Sequence, residues 1–148
     1  MSHYGIGTQR VVEEVYAQFP DTKVLRWDSD TVTKAGASRG LWERFGAGDA
    51  QVLVGTQMVA KGLHFPSVTL VGVVSTDVGL NIPDYRSGER AFQLLCQVAG
   101  RAGRGSSLGK VIVQAYQPNN YAVESAALQD YQGFYRREMA FRWEQANP

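Results

Sequence analysis

Arg101 and Arg104 close a run rich in small residues, Gln97-Val98-Ala99-Gly100-Arg101-Ala102-Gly103-Arg104. A guanidinium is planar, permanently charged and forked, so two of them beside glycines suit a bidentate grip on phosphate oxygens. At about 100° per residue, Arg90, Gln93, Gln97, Arg101 and Arg104 gather on one side of a helix. Ala91, Leu95, Val98, Ala99 and Ala102 gather opposite them. An ordinary amphipathic helix with a solvated face has the same spacing. Two details point towards chemistry. No carboxylate lies between Ala91 and Gly105 to pair with the arginines. Gly100 and Gly103 would each cost about 1 kcal/mol in a helix interior, which suits a helix end or a close backbone approach.

The elements that must position these groups follow from periodicity. Val11, Val12, Val15, Tyr16 and Phe19 have helical spacing, with Thr8 placed to cap the helix and Pro20-Asp21 to stop it. Lys23 to Trp27 reads as a strand, and Leu41, Trp42 and Phe45 mark a second helix closing in Gly46-Ala47-Gly48-Asp49. Gln51 to Gly55 and Val68 to Val74 read as fully buried strands, separated by a loop or short helix from Thr56 to Pro66. Arg86 to about Arg101 reads as a helix, Val111 to Tyr116 as a strand, and Tyr121 to about Gln145 as one long helix. This alternation predicts an α/β fold with an open, mainly parallel sheet and helices on both faces, in three layers. Asp28, Thr56 and Asp77 follow strands, at the carboxyl edge where such sheets bind ligands.

Bulk properties narrow the function classes. With 148 residues, 44% of them hydrophobic, the chain can bury one ordinary core, and a net charge of +1 gives no field from which to argue a nucleic-acid partner. The single cysteine, Cys96, excludes a disulfide framework and a four-cysteine zinc site within the chain, and reads as a small core residue. His3 and His64 are too few and too far apart in sequence for a metal site. No apolar run approaches the roughly 18 residues of a membrane span, so a cytoplasmic location is expected. Trp27, Trp42 and Trp143 are expected to pack in the core. Arg136, Arg137 and Arg142, interleaved with Glu138 and Glu144, are expected on a solvated helix face.

The Gln97–Arg104 run matches the Q-x-x-G-R-x-G-R pattern of superfamily-two helicases, their sixth motif. Val54-Gly55-Thr56-Gln57-Met58-Val59-Ala60-Lys61-Gly62-Leu63-His64-Phe65-Pro66 resembles their fifth. Asp77-Val78-Gly79-Leu80, Pro83-Asp84-Tyr85-Arg86-Ser87-Gly88-Glu89-Arg90 and the opening Gly5-Ile6-Gly7-Thr8-Gln9-Arg10 narrow the resemblance to bacterial primosomal protein N-prime helicases, which restart stalled replication forks. The resemblance covers nearly the whole chain and implies a RecA-like second lobe over residues 1–148. It implies that Arg101 and Arg104 reach the γ-phosphate of ATP held by the other lobe, with Gln97 coupling nucleotide state to closure. Gly62, Gly100 and Gly103 would lie against the nucleotide, and Thr56, Gln57 and Lys61 against DNA phosphates. Many members of the superfamily carry Asp where this chain has His64, so no ribose contact is assigned there. Asp77 fits a loop-capping role equally well.

The chain has no G-x-x-x-x-G-K-[ST] loop and no acidic D-E-x-x box. It is therefore expected to be an excised fragment that hydrolyses no ATP alone, with ATP and Mg²⁺ bound mainly by a first lobe. The resemblance also implies zinc in the full-length protein, on cysteine pairs this chain lacks. Expected partners are forked or single-stranded DNA, the first lobe, primosome proteins and single-stranded-DNA-binding protein, with no membrane. The alternatives are a lobe of another DNA or RNA translocase, or an interaction module with a degenerate motor.

Overall fold

The computed structural model describes residues 7–28, 37–60, 67–74, 77–100 and 109–145. They belong to two compact units that divide between Ser67 and Val68. Among the described residues, no helix is long and apolar enough to cross a membrane.

The first unit runs α1 (Thr8–Gln18), β1 (Val24–Trp27), α2 (Ala37–Gly46), β2 (Val52–Gly55) and α3 (Gln57–Ala60). The strands pair in parallel, from Val24 opposite Val52 to Trp27 opposite Gly55. Leu25 and Trp27 alternate with less buried neighbours, so β1 turns one face inward, and Val54 joins that core from β2. A Cβ on Gly55 would lie 2.5 Å from the Trp27 carbonyl oxygen, so glycine is what lets β2 lie against the bulky end of β1. Gly48 takes a φ of 84° in the turn that closes α2. Thr8 does not cap α1. Gly7 is the N-cap, and the Thr8 hydroxyl donates instead to the buried Asp28 carboxylate, which also pairs with Arg26 at 3.0 Å.

The second unit runs β3 (Leu70–Val73), α4 (Asp77–Leu80), α5 (Ser87–Ala99), β4 (Lys110–Val113), α6 (Tyr121–Ala127) and α7 (Tyr131–Glu144). β3 and β4 are parallel, with Leu70 opposite Lys110 and Val73 opposite Val113. Val73 and Val113 pack on a core of Phe92, Leu95, Ala122, Val123, Ala126 and Phe134. The rings of Phe92 and Phe134 stack at 4.1 Å and 6°, tying α5 to α7.

Several expectations are corrected. Neither β2 nor β3 is fully buried: Val54 alone is buried in β2, and Leu70 of β3 and Ile112 of the paired β4 remain 55% and 50% exposed while the alternate residues turn towards the core. An apolar run reads the same whether one face or both are covered, and here the packed core lies on one. The long helix after Tyr121 is two, because Gln129 adopts φ 53° and Asp130 caps a new start. Trp27 is buried, but Trp42 and Trp143 are 42% and 66% exposed. Arg142 leaves the solvated face and is drawn into an internal ion network.

Candidate functional site

Helix α5 carries Gln97 and ends at Gly100, two of the residues expected at the nucleotide. Its buried residues are Gly88, Ala91, Phe92, Leu95 and Val98, as a helical stripe demands, whereas Gln93 is exposed and Gln97 half-buried. Gln97 therefore stands in the last turn at the border between core and surface. The helix ends at Gly100, with φ −69° and ψ −3°, and the Gly100 N–H donates to Cys96 O at 3.0 Å. Gly100 is thus a helix end whose N–H is already engaged within the helix. Arg101, Gly103 and Arg104 lie outside the described residues, and Gly100 is the last residue before them.

The polar stripe of α5 is less free than its composition suggests. Arg90 pairs with Asp84 at 3.0 Å, and Gln93 donates to Glu89 at 3.2 Å. The acids that engage the early part of the stripe precede it in the chain, beyond the window in which no carboxylate was found.

The nucleic-acid candidates sit beyond the carboxyl end of β2. Thr56 and Gln57 are exposed, one directly after the strand and the other opening α3. The Thr56 N–H reaches Trp27 O at 3.4 Å and its carbonyl accepts from Val59 N at 3.0 Å, which holds the turn while leaving the side chain outward. Exposed hydroxyl and amide groups at a strand's carboxyl edge can donate to phosphate oxygens without reading bases. Lys61, Gly62 and His64 lie outside the described residues. Asp77 opens α4. The described candidates belong to different units, Thr56 and Gln57 to the first and Gln97 and Gly100 to the second.

The sequence reading missed an ion network behind α5. Arg142 Nε meets Glu138 Oε1 at 2.8 Å, Arg142 Nη2 meets Glu89 Oε2 at 2.9 Å, and the Tyr121 hydroxyl donates to Glu138 Oε2 at 2.6 Å. The Arg142 guanidinium also stands 5.3 Å from the centre of the Tyr85 ring. The Glu138 carboxylate first, and Glu89 next, hold Arg142 more firmly in its charged form. The available signal was the i,i+4 spacing of Glu138 and Arg142. It gave no hint of a third partner 53 positions away.

Zinc does not fit the described residues. Cys96 is half-buried against the phenylalanine core, and burial pushes its thiol pKa upward, away from the thiolate that zinc requires. No group of three or more His, Cys, Asp and Glu converges among the described residues.

Residues 7–106 match the helicase conserved C-terminal domain. The chain is 52% identical over 145 residues to the replication restart protein PriA of Bacillus subtilis, covering 98% of this chain and 18% of that protein. It is 47% identical to the PriA of Synechocystis over 96% of this chain and 17% of the relative. It is 40% identical to that of Haemophilus influenzae over 93% and 19%. The chain thus spans under a fifth of the length of these relatives. A helix ending at Gly100 ahead of paired arginines, a threonine turn beyond β2 and identity along nearly the whole chain converge: the chain belongs to the PriA replication restart family, and its fold is the RecA-like α/β type of a helicase C-terminal domain.

Proposed function

We propose that residues 1–148 form the second motor lobe of an ATP-dependent DNA helicase that restarts stalled replication forks in the cytoplasm. The observation that carries this reading is the C-terminal end of α5. Gln97 occupies its last turn and Gly100 terminates it, directly ahead of Arg101 and Arg104. In the full-length protein, a first lobe would hold ATP together with Mg²⁺, which would supply neutralisation of phosphate charge there. Arg101 and Arg104 approach from this lobe and stabilise charge spreading over the γ-phosphoryl oxygens. Gln97, half in the core, links their position to lobe closure. Gly62, Gly100 and Gly103 allow the backbone near the nucleotide. Thr56, Gln57 and Lys61 hold one DNA strand by its phosphates as the lobes cycle. The proposal includes the three-layer form of the RecA-like fold, with helices on both faces of the sheet, supported by the parallel pairing of every described strand. It also includes zinc elsewhere in the full-length protein, and primosome proteins and single-stranded-DNA-binding protein as partners, on the motif resemblance alone.

Arg104→Ala in the full-length protein tests this directly. Arginines supplied in trans are worth about 10³ to 10⁵ in rate, so kcat should fall by orders of magnitude while ATP affinity changes far less. Arg104→Lys should rescue poorly, because a point charge does not reproduce the fork. Steady-state kinetics, with a melting curve for each variant, provides the check. A folded Arg104→Ala protein with near-normal kcat overturns the reading.

A further inference from the structure

The network joining α5 to α7 has a geometry that stability alone does not require. The Glu138 and Arg142 side chains are only 5% and 15% exposed. Desolvating charges offsets much of what their attraction returns, and apolar side chains of similar volume often serve stability as well or better. What apolar packing lacks is direction. The Phe92–Phe134 stack, the Phe92–Tyr131 contact and the α6 residues of the same core hold α5 through apolar surfaces, across which small shifts of the helix remain cheap. Glu89, one turn earlier on α5, gives a second attachment through Arg142, and Glu138 and Tyr121 hold Arg142 in turn. Gly88 leaves the room this needs, since a Cβ there would lie 2.5 Å from Tyr121 Oη and 2.8 Å from Glu138 Oε2. A directional ion pair added to apolar packing restricts the small shifts that the packing alone leaves open.

The lever is long enough to matter. Phe92 to Gly100 spans about 12 Å of helix, so a tilt of about 5° about the stack carries the helix end roughly 1 Å. A misplacement of about 1 Å at a reacting centre can cost on the order of 10²-fold in rate. We propose that Arg142, Glu138 and Glu89 are positioning residues of the motor, a directional clamp between α5 and α7 that fixes the C-terminal end of α5, where Gln97 stands in the last turn. The proposal rests on the motor-lobe reading above and adds to it a control point about a turn before the stack, on the face of α5 that meets α7.

The test uses the full-length helicase, with kcat, KM for ATP and melting temperature recorded for each variant. Arg142→Met should lower both kcat and melting temperature. The Tyr121→Phe/Glu138→Met/Arg142→Met variant, which removes the buried charges together, should recover melting temperature while kcat stays depressed by about ten-fold or more. Glu89→Gln alters a part-exposed partner that folding tolerates. It should lower kcat with KM and melting temperature unchanged, whatever the triple variant does. Arg137→Met breaks the exposed 2.8 Å bridge from α7 to Glu124 in the first turn of α6, and should leave kcat as it was. Normal kcat in Glu89→Gln, or recovery of kcat together with melting temperature in the triple variant, overturns the clamp while Arg104→Ala remains inactive. If Arg104→Ala is itself active, the motor-lobe reading fails and the clamp fails with it.

Discussion

Tyr121 donates its phenolic proton to Glu138, and burial first, then that carboxylate, raises its pKa well above the ordinary 10.0. The folded state therefore keeps this proton at a pH where the unfolded chain releases it. Above about pH 10 the native state binds more protons than the unfolded one, so stability falls as pH rises. The contribution is fully present below about pH 10 and is lost on the alkaline side. Tyr121→Phe should flatten the alkaline limb of a plot of melting temperature against pH, and an unaltered limb would contradict the assignment. Residues such as Tyr121 and Glu89 were not legible as partners, because their contacts join elements 17 and 53 positions apart in sequence. The place of Gln97 in a helix and of Gly100 at its end was legible, because both depend on neighbours within about one helical turn.

The break between α6 and α7 illustrates what an element-level reading loses. Leu128-Gln129-Asp130 contains neither Gly nor Pro, and the apolar spacing of Tyr121 to Gln145 continues across it. The cap is nonetheless written there: Asp130 Oδ1 accepts from Gly133 N at 2.8 Å, as Asn120 accepts from Ala122 N at 2.9 Å ahead of α6. Asp130→Ala should destabilise the protein by about 1 kcal/mol in urea unfolding. Gln129→Gly should do the opposite. A left-handed non-glycine residue costs roughly 1–2 kcal/mol, which glycine relieves less its own extra unfolded-state entropy, so a gain of up to about 1 kcal/mol is expected. A loss of stability on that substitution would show that Gln129 makes a side-chain contact outweighing its backbone cost. α5, in contrast, was placed almost to the residue, since a strong apolar stripe and a terminating glycine agree on where it lies.

Taken alone, the 148-residue chain should hydrolyse no ATP with or without DNA, because it has no phosphate-binding loop of the G-x-x-x-x-G-K-[ST] form. Turnover above a matched blank would end the motor-lobe reading as stated. It should also bind single-stranded DNA weakly and with a shallow salt dependence, since few cations stand near Thr56 in sequence and each neutralised phosphate contributes about 0.7 to the slope. Titrations at several salt concentrations measure that slope. The sequence by itself determined the family, the α/β alternation and the end of α5, because motif spacing and hydrophobic period are local properties of the chain. Tertiary structure alone decided that β3 is covered on one face, that Trp143 lies outside and that Arg142 lies inside. Those outcomes depend on which distant side chains come within a few ångströms, and a charge is buried only where folding brings it partners.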